Sequence, residues 1–450
     1  MKMIRAAVWL FGATALWAQT PAPATAKLDY VVYLSRHGVR SPLTSNANLR
    51  SVSVEAWPEW GIPVGYMTAH GRWLMQLMGG YYREYLLQAG LLSGQSCADA
   101  QHFYFWTDTA QRDLESARAI AFAMFPDCKV PVHSYRTGLA DPIFSPATAP
   151  LAPGIEAVDR VFGAAALGGR IGDNPRALNA PYMAEVELLQ HILLGCDAAG
   201  PCPRDGKKPK RMLLDDVPQP APPAAPRDHL AELTATSGQL ATVTEAFYLE
   251  YVDGMDMKDV GWGRVDEATI ARLMTMRAAV GDINLRTPYL ARAHASNMLS
   301  HILHSMEQST GATAVPGSLG NPGDRVLMIL GHDGDIVPLS GALDISWIAE
   351  GYAPNDTPPG SALVFEIWRD TATRKRNVRT YLITETPKAM RDAVPLSLRT
   401  PPTKTAVFVP GCSTIAEGYP CDWEAFRKVA EAAIDPAFVA KEPPPADALR

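Results

Sequence analysis

Arg36-His37-Gly38-Val39-Arg40-Ser41-Pro42 sets a histidine between two arginines directly after the apolar run Tyr30 to Leu34. Two other segments repeat that layout. Phe103 to Trp106 leads into Thr107-Asp108-Thr109-Ala110-Gln111-Arg112, and Val326 to Leu330 leads into Gly331-His332-Asp333. The resulting set, Arg36, His37, Arg40, Arg112, His332 and Asp333, combines guanidinium and imidazole groups with a single carboxyl. Such a balance suits a strongly anionic ligand, and a phosphate ester is the simplest. A neutral imidazole attacks phosphorus readily, and a covalent intermediate divides one hard displacement into two easier ones. On this reading His37 is the nucleophile. Arg36, Arg40, Arg112 and His332 hold the phosphoryl oxygens through charge-assisted, partly bidentate bonds. Asp333 protonates the departing alkoxide and then deprotonates the water that hydrolyses phosphohistidine. Surrounding positive charge lowers the pKa of an imidazole, so His37 is expected to stay nucleophilic in mildly acidic medium while Asp333 remains available as an acid.

Residues so far apart in sequence need a frame. Short, nearly continuous apolar runs bounded by Gly, Pro or Ser read as strands covered on both faces. In such sheets ligands bind beyond the carboxyl ends of the strands, so three strand ends are expected to converge on one pocket. The fold class is α/β, with a mixed, largely parallel sheet flanked by helices. Strand-like runs occupy residues 27–150 and resume over 320–432, which implies a discontinuous catalytic domain. Residues 151–319 are richer in helical periodicity, at Tyr182 to Leu194, His229 to Tyr251, Glu267 to Val280 and Tyr289 to Ser309, and read as a smaller, all-helical cap inserted into that domain. Within the cap, 203–228 reads as an extended, mobile Pro-rich loop, and 433–450 as a loose tail. Asp108 fits two roles equally, as partner of a clamp arginine or as the N-cap of the helix that follows.

The motifs at 36 to 42, Arg112 with Ser116, and His332-Asp333 resemble the histidine acid phosphatases. So do Trp57-Pro58-Glu59-Trp60 with Met67-Thr68-Ala69-His70-Gly71, then Gly261-Trp262-Gly263-Arg264, Arg286-Thr287-Pro288, and Thr357-Pro358-Pro359-Gly360 with Leu363-Val364-Phe365-Glu366. These look like the bacterial phytase and glucose-1-phosphatase branch over roughly residues 28–425. The resemblance implies a phosphoglycerate-mutase-like catalytic domain and the roles derived above, and the mechanism those roles describe needs neither metal nor organic cofactor. Three departures bear on substrate. Leu43-Thr44 stands where phytases of this type have Thr-Lys, Gly334-Asp335 where they have Thr-Asn or Ser-Asn, and His294 where an arginine is expected. Leu43, Thr44, Asp108 and His294 are accordingly candidate substrate-binding residues. Phytate and sugar phosphates both remain open as substrates. So do phosphotransfer in the manner of sugar-phosphate mutases and, from another class, a phosphate-ester binding protein without turnover. Trp57 and Trp60 read as core or rim packing.

Lys2 and Arg5, the apolar stretch Ala6 to Leu16 and Ala18 form a signal-peptide pattern with cleavage expected after Ala18. The stretch is too short for a membrane span, so a periplasmic or secreted monomer is expected. Among the 6 cysteines, nearness in sequence favours Cys196 with Cys202 and Cys412 with Cys421, leaving Cys97 with Cys128. The resemblance implies the same pairs. The spacings are not those of a zinc site. A net charge of −6 over 450 residues argues against broad binding to nucleic acid or anionic membrane. The basic cluster Lys207 to Arg211 reads as a solvated loop.

Overall fold

The computed structural model describes residues 26–136, 138–145, 159–172, 180–194, 236–311 and 313–440, with short strands inside 204–234 and at 447–449. The expected leader 1–18, Cys196, Cys202 and most of the Pro-rich loop lie outside the described residues.

Four strands make the parallel centre of the sheet: β1 (Ala26–Arg36), β2 (Phe103–Thr107), β3 (Val132–Ser134) and β4 (Val326–Gly331), in the order β1-β4-β2-β3. β4 is buried throughout and β1 from Tyr30 onward, which is why both read as unbroken apolar runs rather than alternating ones. An antiparallel arm, β5 (Ala362–Asp370), β6 (Arg376–Thr384) and β7 (Thr403–Val407), continues from the other edge of β1. The sheet is thus mixed, with its parallel part at the three strand ends that carry the motifs.

The helices longer than two turns are α1 (Ala69–Gln88), α2 (Gln111–Met124), α3 (Arg160–Ile171), α4 (Met183–Leu194), α5 (Thr236–Val252), α6 (Glu267–Arg286), α7 (Pro288–Gly311), α8 (Asp333–Ala342) and α9 (Trp423–Ala433). Alternate side chains of each strand point to opposite faces. Val31, Tyr33, Phe105, Met328 and Leu330 pack under Met78, Tyr82 and Ile120 of α1 and α2, while Val32, Leu34, Leu327, Ile329 and Phe365 pack under Met298, Ile302 and Met306 of α7. That second set corrects one boundary. α7, expected within the cap, covers the sheet itself, because its buried positions meet the strand face directly. A separate core joins α4, α5 and α6 with Trp57, which stacks on Phe247 at 5.1 Å between ring centres. The tryptophan is packing, as read from sequence.

Cys97–Cys128 and Cys412–Cys421 are disulfide-bonded. Two expectations of looseness need revision. Gln219–Ala221 pairs with Glu232–Thr234, so the helix expected from His229 begins at Thr236 instead. In the tail, Phe438 is 4% exposed against Ile283 and Leu290, and Asp447–Leu449 pairs antiparallel with β3.

Two carboxyls outside the motifs, Glu385 just after β6 and Glu250 on α5, are buried without full hydrogen bonding. Glu385 Oε2 and Glu250 Oε1 have no hydrogen-bond partner among the described residues. Burial pushes each of these two groups up to about 8. A group whose folded pKa exceeds its unfolded value stabilises fully below the unfolded pKa, and that contribution disappears as pH rises through the folded one. The melting temperature is therefore expected to be highest near about pH 4–5 and to fall as pH approaches about 8, by up to about 4 kcal/mol of stability per group. Glu385→Gln should flatten that fall. A melting curve set across this range that stays level for both proteins contradicts the assignment.

Candidate active site

Register delivers the motifs to one place. Arg36 lies opposite Gly331 across the β1–β4 ladder, and Thr107 opposite Leu330 across β2–β4. The chain then leaves the sheet with His37 N donating to Gly331 O at 2.9 Å and Asp108 N to Leu330 O at 3.0 Å. Gly71 makes room for this turn, since a Cβ there would lie 2.2 Å from Val39 O. The Gly38 amide donates to Ser116 Oγ at 2.9 Å, and Ser116 donates to Arg112 O at 2.6 Å one helical turn back. Gly360, with φ of 76°, donates its N–H to His37 O at 2.9 Å. Thr357 to Gly360 thereby closes over the histidine.

His37 is 2% exposed. Its Nδ1 lies 2.8 Å from Gly38 O, a contact that requires the Nδ1–H tautomer and leaves the Nε2 lone pair free. Burial, then Arg112, Arg36, Arg40 and His332, hold the imidazole well below its ordinary pKa. The imidazole is therefore neutral, with its Nε2 lone pair facing the clamp side chains. The His332 ring stands edge-on to it at 5.6 Å.

The arginines are anchored before any ligand arrives. Arg36, 1% exposed, donates to Thr357 O at 2.7 Å and to Glu245 Oε1 at 2.8 Å. Arg40 donates to Ser41 O at 3.1 Å and Glu245 Oε2 at 3.2 Å. Arg277 reaches Glu245 at 3.0 Å and also bonds Asp333 Oδ2. Glu245 on α5 and Arg277 on α6 were not foreseen. Each is one charge among others on its helix, which by itself reads as a solvated face; only their packing over the sheet ends turns them inward. Burial opposes ionisation of Glu245, but Arg40, Arg277 and Arg36 outweigh it and keep it a carboxylate.

Asp333 corrects an expectation. Burial alone would raise its pKa, yet Arg36, Arg277 and Arg40 hold it far below the usual carboxylate range. It rests ionised, with Oδ2 3.5 Å from Arg36 Nη2, rather than as the available acid read from the motif. Asp108 takes neither role as expected: the N-cap of α2 is Ala110, and the clamp residue that Asp108 Oδ2 pairs with is a histidine rather than an arginine, His332 Nε2 at 2.7 Å. Despite burial, that bond keeps Asp108 below its ordinary value. For His332, burial disfavours charge, but Asp113 and Asp108 outweigh it and raise the imidazole to about 9. Asp335, expected to add negative charge to the pocket, instead turns back to accept the His332 N–H at 2.6 Å, and burial drives its pKa well up. It closes the first turn of α8.

His294 lies buried on α7, and the guanidinium beside Asp333 comes from Arg277 on the preceding helix, α6. Leu43 is 56% exposed. A Cβ built on Gly65 would lie 2.9 Å from its Cδ2 and 3.7 Å from Arg112 Nη1, so the leucine overhangs the rim of the clamp. Thr44 and Thr242 line a neighbouring hollow of about 360 Å³. Thr242 also borders a second cavity of about 330 Å³ that reaches Asp333, Glu245, Arg277, Asp282 and Asp356. Asp108, Asp113 and His332 offer ligand atoms within 4.8 Å of one another. Arg112, 3.2 Å from His332 and 3.8 Å from Asp113, puts a fixed positive charge in the same space, which suits an anion or a proton rather than a cation.

Similarity to known proteins agrees with this geometry. Phytase AppA of Escherichia coli (strain K12) is 29% identical over 418 residues, 91% of this chain and 93% of that protein. A glucose-1-phosphatase of Providencia rettgeri is 27% identical over 93% of this chain and 94% of its own length. Among solved structures, Hafnia alvei phytase in complex with tartrate is 31% identical with a TM-score of 0.81, covering 93% of this chain and 100% of that one, and the same enzyme in complex with myo-inositol hexakis sulphate is 30% identical with a TM-score of 0.79, again covering 93% and 100%. No described helix is long and apolar enough to cross a membrane. The model of the histidine phosphatase superfamily (branch 2) matches residues 27–143 and 232–382, more than half of the chain, and the protein belongs to that family of phosphomonoester-hydrolysing enzymes.

Proposed function

We propose that this chain is an acid phosphomonoester hydrolase that works through a phosphohistidine at His37. The observation that carries this reading is the His37 tautomer: Nδ1–H is committed to Gly38 O at 2.8 Å, so the free Nε2 lone pair sits among Arg36, Arg40, Arg112 and His332. In-line attack by Nε2 on phosphorus expels an alkoxide. Asp333 supplies its proton, and in the second half-reaction takes one from the water that attacks phosphohistidine. A phosphate dianion accepting bonds from Arg36 would compete with Asp333 for that guanidinium and add negative charge beside it. Both effects raise the Asp333 pKa, so substrate binding itself is what charges the acid. We further propose that the α4, α5 and α6 region acts as a cap over the clamp, and that the leader-like N-terminus directs the chain to the periplasm or beyond.

The cavity next to Asp333 favours the leaving-group class. Its lining carries the carboxylates Glu245, Asp282, Asp333 and Asp356 against one cation, Arg277, which is already ion-paired. An uncharged polyol fits there better than an inositol bearing further phosphates, which supports sugar monophosphates over phytate. Phosphate release at about pH 5 with EDTA, compared by kcat/KM, should rank glucose 1-phosphate above phytate. A lead for phytate would overturn the substrate assignment, and failure to trap acid-labile phosphohistidine on any ester would overturn the hydrolase reading.

A further inference from the structure

Asp113 follows Arg112 on α2 and is one of the least accessible carboxyls in the molecule, with no exposed surface and with neither oxygen hydrogen-bonded among the described residues. Its oxygens point at the clamp. Oδ1 is 3.6 Å from His332 Nδ1 and Oδ2 is 3.8 Å from Arg112 Nε, which itself lacks a hydrogen-bond partner among the described residues. Both separations fall just outside hydrogen-bonding range, so a small torsional change would close either.

The His332 ring is otherwise fixed. Nε2 is held by Asp108 at 2.7 Å, its backbone N–H is held by Asp335 at 2.6 Å, and its Nδ1 edge faces Arg112 Nη2 at 3.2 Å. The charged and titratable groups around Asp113 are His332 and Asp335 from the start of α8, Arg112 from its own helix, Asp108 from the β2–α2 connection and Arg40 from the β1–α1 connection. Two of these, Arg112 and His332, are donors that the proposed function assigns to phosphoryl oxygens.

We propose that Asp113 is a positioning residue that makes the clamp pH-dependent: as the neutral acid it leaves Arg112 and His332 to the phosphoryl oxygens, and as the carboxylate it draws both donors toward itself. This rests on the proposed role of Arg112 and His332 as phosphate ligands, but not on turnover. Burial, opposed by His332 and Arg112, pushes the Asp113 carboxyl up to about 7, which puts the change between acidic and neutral medium. The proton is taken up from solvent when phosphate binds above that pH and released when it leaves. A carboxylate buried without a bond carries a large desolvation cost, and this supplies the drive for it to capture a donor once ionised.

The test is calorimetric binding of inorganic phosphate between about pH 5 and 8.5 to the parent protein, Asp113→Asn and Asp113→Ser. In the parent the dissociation constant should rise across neutrality, with proton uptake seen as a buffer-dependent heat. In both variants the rise should begin about one pH unit higher, giving on the order of tenfold tighter binding at about pH 8, with the same displacement in KM but not in kcat. Parental pH profiles in both variants would overturn the proposal. Two substitutions of different size guard against a packing artefact, and trapping of phosphohistidine in the parent separates failure here from failure of the hydrolase reading.

Discussion

His37→Ala is expected to lower kcat for phosphate release at least about 10⁴-fold while leaving binding of inorganic phosphate measurable. Removing the ring removes the proposed nucleophile, whose free Nε2 is available because Nδ1 is bound to Gly38 O at 2.8 Å. The cationic groups that hold the oxygens are anchored elsewhere. Arg36 is fixed by Thr357 and Glu245, and His332 by Asp108. The cavity left by the imidazole is next to those groups, so added imidazole should restore part of the rate. Burst-phase quench of the parent should yield phosphoprotein stable to base and labile to acid, with none from the variant. Turnover near the parental rate in His37→Ala would remove the histidine from the chemistry altogether.

Asp333→Asn should divide substrates by leaving group. For alkyl phosphates such as glucose 1-phosphate, loss of general-acid assistance is expected to lower kcat/KM about 10²–10⁴-fold. For p-nitrophenyl phosphate, whose phenolate leaves without a proton, the first step should fall far less, and hydrolysis of phosphohistidine should become limiting. The resting structure adds a pH signature. Asp333 is held ionised by Arg36 and Arg277, so the acid form must be produced on binding, and the rate with alkyl esters should fall on the alkaline side at lower pH than the rate with the nitrophenyl ester. Equal losses for the two esters across pH would exclude Asp333 as the proton donor. Asn removes half of an ion-paired cluster, and binding of inorganic phosphate to the variant provides the control that Arg36 and Arg277 keep their places.

The amino-acid sequence by itself determined the sheet and the residues at its three strand ends. Runs such as Val326 to Gly331 are apolar without interruption because both faces are covered, and a strand covered on both faces in an α/β order leaves little choice about where its polar terminus points. Arg36, His37, Arg40, Arg112, His332 and Asp333 could be assembled from that rule because each lies within a few residues of the carboxyl end of a buried strand or at the head of the helix that follows one. Nearness in the chain also sufficed for Cys412 and Cys421.

Tertiary packing decided what those residues are bonded to, and hence their charge. Glu245 and Arg277 are charges among others on helices far along the chain, with no local pattern to mark them, yet they meet Arg36, Arg40 and Asp333 and reverse the expected protonation of Asp333. His294, one helix further on, was drawn instead from its sequence context, and its side chain lies buried on α7. Asp335 and Asp113 differ in the same way: both are acids near a motif, but one turns back to the His332 amide and the other points unbonded at the clamp. The direction a side chain takes from a helix depends on the rotation of that helix against its neighbours, which is set by the summed packing of the core and not by the residues around it in sequence. Charge state follows direction, because desolvation and Coulomb interactions change steeply over a few ångströms inside a protein.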